Sequence, residues 1–297
     1  MNGKIIKGVG GFYYVHLHHD LIYECKAKGI FRNQKIKPVV GDNVSIDIID
    51  EDKKIGNIVD ILPRDNVLIR PAVANVDQAL VIFALSDPKP NFNLLDRFLI
   101  SMDKQNIKTT ICFNKSDLVD AEYAKTIKQV YSNCGYDVII TSTFFMDNEI
   151  DAQIKELKAL ITGRTTVLAG PSGVGKSSIV NLLCPMSNQK TGEISQKIKR
   201  GKHTTRHTEL LFVEDNTYVL DTPGFTSLYV DGIECSDLRF YYNEFEAYEG
   251  SCKYNGCVHI NEPECAVKKA LEESKISQIR YDNYLVLYNE LKESRKW

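Results

Sequence analysis

Long apolar runs are missing from this 297-residue sequence. The longest uncharged apolar stretch, QALVIFAL at residues 78–85, is less than half of the about 20 residues that a membrane-spanning helix needs. The first twenty residues contain no apolar segment followed by a small-residue cleavage site, so we expect no secretory signal peptide. The sequence therefore predicts a cytoplasmic protein without a membrane partner.

An excess of one charge is also missing, because 37 basic and 39 acidic side chains leave a formal charge of −2. The whole molecule has no bulk attraction to nucleic acid, so any such binding must come from local patches. Two basic patches are present, one within residues 26–37 and one within residues 197–206. Each is compatible with a solvated basic surface or with an RNA contact.

The eight cysteines divide into five scattered ones and a cluster of three. We expect five scattered ones to be reduced and partly buried: Cys25, Cys112, Cys134, Cys184 and Cys235. The other three join a histidine in the pattern Cys252-x₄-Cys257-x-His259-x₅-Cys265. Three thiolates and one imidazole complete a closed tetrahedral Zn²⁺ site, which leaves no open position for zinc catalysis. A disulfide is the alternative, and a cytosolic setting disfavours it.

Three regions differ in their patterning. Residues 1–70 contain five β-branched or aromatic-rich segments, which predict an all-β barrel of OB type, with an SH3-like barrel as the alternative. The segment from Pro63 to Pro71, at the junction with the next region, resembles a linker. Residues 71–230 alternate between strands and helices, which predicts a doubly wound α/β domain. Residues 231–297 contain the cysteine cluster and helical patterns, so we expect a helical zinc-binding domain.

A glycine-rich segment, GPSGVGKS, matches the phosphate-binding pattern G-x-x-x-x-G-K-[ST] between an apolar strand and a helical pattern. Glycines let backbone N–H groups approach phosphates, and the following helix adds its positive N-terminal end. We expect Lys176 to reach the β- and γ-phosphates and Ser177 to ligate Mg²⁺. The predicted phosphate loop comprises Gly170, Pro171, Ser172, Gly173, Val174, Gly175, Lys176, Ser177 and Ser178.

A second motif, NKSD, follows the apolar strand TTICF and points to guanine. The Asp117 carboxylate can accept hydrogen bonds from guanine N1–H and the 2-amino group, and adenine lacks both donors. Lys115 can lie along the base, and Asn114 can tie this segment to the phosphate loop. Thr141 and Ser142 follow the next strand, where a backbone N–H would read guanine O6. Alone NKSD is often a turn, but beside a phosphate loop it predicts base recognition.

The segment DTPG follows the strand YVL and matches D-x-x-G. Asp221 can hold Mg²⁺ through water, and the Gly224 N–H can meet the γ-phosphate. Between the two phosphate motifs lies GKHTTR, in which we expect Thr205 to complete the Mg²⁺ shell, with Thr204 as the alternative. These residues predict hydrolysis of a nucleotide that is bound with magnesium.

The order of the motifs is unusual, because NKSD precedes GPSGVGKS and DTPG. In this order the chain resembles the circularly permuted GTPases, specifically the ribosome-small-subunit-dependent (RsgA/YjeQ-like) GTPase family of bacteria. The resemblance covers the whole chain through PVVGD, RPAVANVDQ, GPSGVGKSS, GKHTTRHTE, DTPGF and the cysteine cluster. It implies a monomeric GTPase that uses GTP/GDP, Mg²⁺ and Zn²⁺, binds 16S rRNA, is stimulated by the small (30S) ribosomal subunit and acts in late 30S maturation.

Phe225 occupies the position where signalling GTPases carry the glutamine that orients the attacking water. Phenylalanine cannot orient water, so we expect slow intrinsic hydrolysis and a different catalytic group. His203 is the predicted group, and an ordinary exposed loop residue is the alternative.

Two other classes of protein share some of these motifs. A small-molecule kinase would have no reason to read guanine, so NKSD argues against it. An RNA-binding scaffold with a vestigial nucleotide site is the other alternative, and the intact Lys176, Ser177, Asp117 and Asp221 argue against it.

Overall fold

The computed structural model describes residues 1–18, 21–29, 31, 36–69, 72–144, 148–183, 208–221, 230 and 232–294. The chain packs as two compact units that interleave along the sequence. One contains residues 1–80, 147–169 and 175–224, and the other contains residues 81–146, 170–174 and 225–297. Within the described ranges, every helix is too short or too polar to span a bilayer.

Five strands close into a barrel in the order β1-β2-β3-β5-β4. Strands β3 and β5 are parallel, and the other neighbours are antiparallel. Alternate side chains such as Val44 and Ile46 point inward and are buried, as period-2 patterning requires. This order is that of a five-stranded OB-type barrel, so the OB prediction is confirmed over the SH3-like alternative. The strands are β1 (Asn2–Val9), β2 (Phe12–His16), β3 (Ile22–Ala27), β4 (Asn43–Asp50) and β5 (Ile55–Ile61).

The segment after the barrel, which the sequence predicts to be a linker, contacts the barrel within its described residues 63–69. Strands β6 (Val67–Leu68) and β7 (Val73–Ala74) form an antiparallel ribbon in which Leu68 is buried. The fully buried carboxylate of Asp42 accepts two hydrogen bonds from Arg64, at 2.6 Å from Nε and 2.8 Å from Nη2. This pair holds the segment against the barrel.

A glycine permits the closest contact between the barrel and this ribbon. Gly41 has φ +91°, and a Cβ placed there would lie 2.1 Å from the carbonyl oxygen of Ala74. Asn75 donates a hydrogen bond of 3.0 Å from Nδ2 to the Gly41 carbonyl. The glycine of PVVGD and the asparagine of RPAVANVDQ thus meet in one joint, which only the folded chain reveals.

The alternating region forms one sheet in the order β10-β9-β8-β11-β13-β12, which confirms the α/β prediction. All seven residues of β8 are buried, as expected for a continuous apolar strand in a parallel sheet. The β9–β10 and β11–β13 pairs are parallel, whereas β12 is antiparallel to β13. The strands are β8 (Gln78–Ala84), β9 (Lys108–Asn114), β10 (Asp137–Ile140), β11 (Thr165–Ala169), β12 (Leu210–Phe212) and β13 (Tyr218–Asp221). The helices are α1 (Phe92–Asp103), α2 (Ala121–Ser132), α3 (Asn148–Ile161) and α4 (Lys176–Leu183).

The C-terminal region has its own aromatic core. Two short 3₁₀ segments, Leu238–Tyr241 and Asn243–Tyr248, precede helices α5 (Ala266–Glu272) and α6 (Gln278–Ser294). The ring of Tyr284 on α6 lies 5.1 Å from the ring of Phe245, at an edge-to-face angle of 78°. The apolar side chains of α6 therefore pack inside this region, with Tyr281, Tyr284, Leu287 and Leu291 in one buried cluster.

A fully buried arginine, which the sequence reasoning missed, lies beside this core. Arg280 is 1% exposed, and its Nη1 lies 2.5 Å from Asp96 Oδ1 on α1. Its Nε donates to Glu244 Oε1 at 2.8 Å, and its guanidinium lies 4.5 Å from the Tyr242 ring centroid. Burial disfavours the charged guanidinium, but the carboxylates of Asp96 and Glu244 outweigh burial and raise the pKa of Arg280. The arginine stays charged and links α1, α6 and the second 3₁₀ segment.

Candidate nucleotide and metal sites

The phosphate loop connects the end of β11 to the start of α4, which is the strand–loop–helix context that its motif requires. Its first glycine permits a close backbone approach. Gly170 has φ +148°, and a Cβ there would lie 2.0 Å from the carbonyl oxygen of Ile82 on β8. Any larger residue would push this loop away from the sheet. Lys176, Ser177 and Ser178 form the first turn of α4.

The guanine motif reaches the phosphate loop through one buried side chain. Asn114 is the last residue of β9 and is fully buried. Its Nδ2 donates a hydrogen bond of 2.8 Å to the carbonyl oxygen of Val174. This bond joins two motifs that are 60 residues apart in the chain.

Asp117 and the Thr141–Ser142 segment also come together. The Ser142 hydroxyl donates a hydrogen bond to Oδ1 of Asp117. The backbone N–H of Ser116 donates to the carbonyl oxygen of Thr141 at 3.2 Å. Asp117 is exposed, so its second carboxylate oxygen is accessible to a ligand. The residues at and just after the carboxyl ends of β9 and β10 thus form one polar corner, made of Asn114, Asp117, Thr141 and Ser142.

Lys115 lies in the left-handed region at φ +62°, and its ammonium donates to the carbonyl oxygen of Asp87. The loop that contains Asp87 continues into a pocket of about 300 Å³. The pocket walls include Lys89 from this loop and Ser172 and Val174 from the phosphate loop.

Two buried polar atoms of this corner lack hydrogen-bond partners among the described residues: Asn114 Oδ1 and Thr141 Oγ1. A buried polar atom without a partner costs roughly 1–3 kcal/mol. A polar ligand at the carboxyl ends of β9 and β10 can offset that cost. The corner therefore fits a nucleotide better than it fits an empty structural turn.

Several predicted residues lie outside the described part of the chain: His203, Thr204, Thr205 and Gly224. For Asp221 the structure describes the backbone, which ends β13 opposite Leu168 of β11 in parallel register. The phosphate loop follows β11 directly. The backbone of Asp221 therefore lies beside the end of β11, where that loop begins.

The four residues of the cysteine cluster converge in space. Their ligand atoms all lie within 4.8 Å of one another. Cys252 Sγ lies 3.9 Å from Cys265 Sγ, and His259 Nδ1 lies 3.4 Å from Cys265 Sγ. With Zn–S near 2.3 Å and Zn–N near 2.0 Å, a regular tetrahedron has S···S edges of about 3.8 Å and S···N edges of about 3.5 Å. These spacings fit zinc and are far too long for the about 2.05 Å of a disulfide.

Two acidic residues near this cluster were missed by the sequence reasoning. Glu249 Oε1 lies 3.1 Å from His259 Nε2. Glu262 accepts hydrogen bonds of 2.9 Å from the backbone N–H groups of Val258 and Ile260, on either side of the histidine. Burial alone would raise the pKa of Glu262, but these backbone donors lower it. No spacing in the sequence distinguishes these glutamates from the other acids of the region.

A P-loop α/β domain in which the guanine motif precedes the phosphate loop defines the class of the protein: it is a circularly permuted GTPase. Comparisons with known proteins agree with this class. The RsgA GTPase family model matches residues 61–231, and the RsgA N-terminal domain model matches residues 2–58. The chain belongs to the RsgA GTPase family and is a GTP hydrolase.

Similar proteins extend over the full length of the chain. A protein named small ribosomal subunit biogenesis GTPase RsgA from Agathobacter rectalis is 55% identical over 307 residues, covering 100% of both chains. The protein of the same name from Alkaliphilus metalliredigens is 47% identical and covers 99% of both. Among solved structures, the circularly permuted GTPase YloQ has 38% identity and a TM-score of 0.75, covering 99% of this chain and 95% of its own. YjeQ from Thermotoga maritima has 32% identity and a TM-score of 0.78, covering 98% of both chains.

Proposed function

We propose that this protein binds GTP through its guanine motif and its phosphate loop and hydrolyses it during biogenesis of the small ribosomal subunit. The hydrogen bond between Asn114 and Val174 is the observation that carries the proposal, because it joins the guanine motif to the phosphate loop. Asp117 accepts from guanine N1–H and the 2-amino group, and the Ser142 hydroxyl orients its carboxylate. A backbone N–H of the Thr141–Ser142 segment reads O6.

The phosphates lie in the loop of residues 170–178, where Lys176 meets the β- and γ-phosphates. Ser177, Asp221 and Thr205 would hold Mg²⁺, with Thr204 as the alternative to Thr205. When bound, Mg²⁺ neutralises negative charge on the phosphates. His203 positions the attacking water, since Phe225 follows the D-x-x-G glycine and cannot do so.

Zinc would be held by Cys252, Cys257, His259 and Cys265. The distances between their ligand atoms support this assignment. Because all four ligands come from the protein, the ion would supply structural cross-linking of the C-terminal region and no catalysis.

An outer face of the barrel supports an RNA contact. On β2, Phe12 lies opposite Lys26, whose ammonium is 5.0 Å from the Phe12 ring centroid. Tyr14 lies two residues along the same face, with the Lys7 ammonium 5.9 Å from its ring centroid. The Tyr14 hydroxyl donates to Glu24 and Lys7 pairs with Glu209, so Phe12 with Lys26 is the part of this face that best suits base stacking and a phosphate contact. The name that the relatives share makes the small subunit, and its 16S rRNA, the expected partner, and we expect the protein to be a cytoplasmic monomer.

The first test is GTP turnover by purified protein alone, with 30S subunits and with 50S subunits. We expect slow intrinsic hydrolysis and a large rise in kcat with 30S subunits only. Equal rates with and without 30S subunits would contradict the proposed partner, whereas a preference for ATP would contradict the proposed guanine site.

The role of His203 needs a separate measurement. We expect His203→Ala to abolish the stimulated turnover and to leave GTP affinity nearly intact. A stimulated kcat equal to that of the wild type would exclude this role.

A further inference from the structure

The two ring nitrogens of His259 have different surroundings. The ring is buried, with the residue 1% exposed. Its Nδ1 faces the thiols, at 3.4 Å from Cys265 Sγ and 3.6 Å from Cys252 Sγ. Its Nε2 faces away from them, at 3.1 Å from Glu249 Oε1. In metal sites the nitrogen that binds the metal is set by the hydrogen bond that the other nitrogen makes.

The backbone around His259 fixes the direction of the ring. His259 lies in the left-handed region at φ +61°, which few non-glycine residues adopt. The Glu262 carboxylate holds the amide groups of Val258 and Ile260, and the Tyr281 hydroxyl donates to the His259 carbonyl at 2.7 Å. This loop therefore presents Nδ1 to the thiols and Nε2 to Glu249.

Glu249 is itself held by a cation. Arg239 Nε lies 3.4 Å from Glu249 Oε1, and Arg239 Nη1 donates a hydrogen bond of 2.9 Å to the carbonyl oxygen of Cys257. The arginine thus contacts the carboxylate and the backbone of a predicted zinc ligand.

We infer that Glu249 is a positioning residue: it accepts the Nε2–H of His259 and so leaves the Nδ1 lone pair for zinc. The inference rests on the proposed zinc site. A carboxylate that accepts from the distal nitrogen fixes the tautomer and makes the metal-bound nitrogen a stronger donor. Arg239 acts one step further out, because it contacts both the Glu249 carboxylate and the carbonyl oxygen of Cys257 and so helps to fix their relative positions.

The test compares zinc affinity among full-length variants by chelator competition. Removal of an outer-shell partner lowers metal affinity about 10–100-fold, and we expect a loss of that size for Glu249→Ala. Glu249→Gln keeps an oxygen that can accept the same proton, so it should lose less. Glu246→Gln is the matched control, because Glu246 is an exposed acid on the same segment and should bind zinc like the wild type.

A second measurement does not depend on any variant. Nitrogen-15 NMR of the zinc-loaded wild type should show the His259 proton on Nε2 and a metal-bound Nδ1. A proton on Nδ1 would overturn the inference, even if Glu249→Ala failed to fold.

The outcomes separate the inference from the site on which it rests. If the wild-type protein bound no zinc tightly, the proposed zinc site itself would be wrong. Stoichiometric zinc in the wild type, with equal affinity in Glu249→Ala, would overturn only the positioning role. An equal loss in Glu246→Gln would also overturn it, because the effect would then be one of general charge.

Discussion

The buried arginine of the C-terminal region allows a sharp prediction. Replacing Arg280 by methionine keeps much of the side-chain volume and removes the charge. The substitution leaves Asp96, which is fully buried, and Glu244, whose side chain is 7% exposed, without their shared cation. Two carboxylates of like charge would then face each other in a region that water does not reach.

The expected cost follows from this burial. Two unit charges 4 Å apart interact with roughly 4 kcal/mol at an effective dielectric constant of 20. Removing one partner of a buried ion pair costs about 3–5 kcal/mol, since the remaining charge stays desolvated. We therefore expect Arg280→Met to lower the free energy of opening of α1 and α6 by about 3–5 kcal/mol, which is two to three and a half powers of ten in exchange rate.

Native-state hydrogen exchange of peptides covering α1 and α6 measures this opening. Arg97→Met is the comparison variant, because it removes the other ion pair between α1 and α6; its partner Glu290 has a side chain 39% exposed, so water can solvate the remaining carboxylate and the loss should be smaller. Adding Asp96→Asn to Arg280→Met should recover part of the loss by removing one stranded charge. If Arg280→Met exchanged no faster than Arg97→Met, the reasoning about buried charge would be wrong.

Three further predictions concern other parts of the chain. Asp117→Asn should weaken GTP by at least about tenfold, because hydrogen bonds to a charged group contribute about 1.5–3 kcal/mol each, and should favour xanthosine triphosphate in a competition assay. Gly41→Ala should destabilise the barrel joint by more than about 1 kcal/mol in a denaturation experiment, since its Cβ would meet the Ala74 carbonyl oxygen. Burial raises the pKa of Cys112 to about 12 and that of Cys25 to about 11. Iodoacetamide at pH 8 should therefore label both thiols far more slowly in the native than in the unfolded protein, and equal labelling rates would contradict their burial.

Local sequence determined the elements and the motifs of this protein. The continuous apolar run of β8 required burial on both faces, and Gly170, at the end of an apolar strand, indicated a loop that approaches phosphate. The three cysteines and the histidine lie close together in the chain, and these ligand types favour a tetrahedral metal ion. The zinc ligands could therefore be predicted as a set. These features depend on residues that are close together in the chain, so they can be predicted from the sequence.

Only the tertiary structure decided which distant groups meet. The segment after the barrel looked like a linker, yet Gly41 and Asn75 form a joint there, 34 residues apart. Neither Arg280 nor Glu249 belongs to a motif that the sequence displays. Their partners lie elsewhere in the chain and share no spacing rule with them. The sequence thus determined which chemical groups the protein has. Folding decided which of these groups are buried together, because burial and hydrogen-bond geometry arise only when distant parts of the chain come into contact.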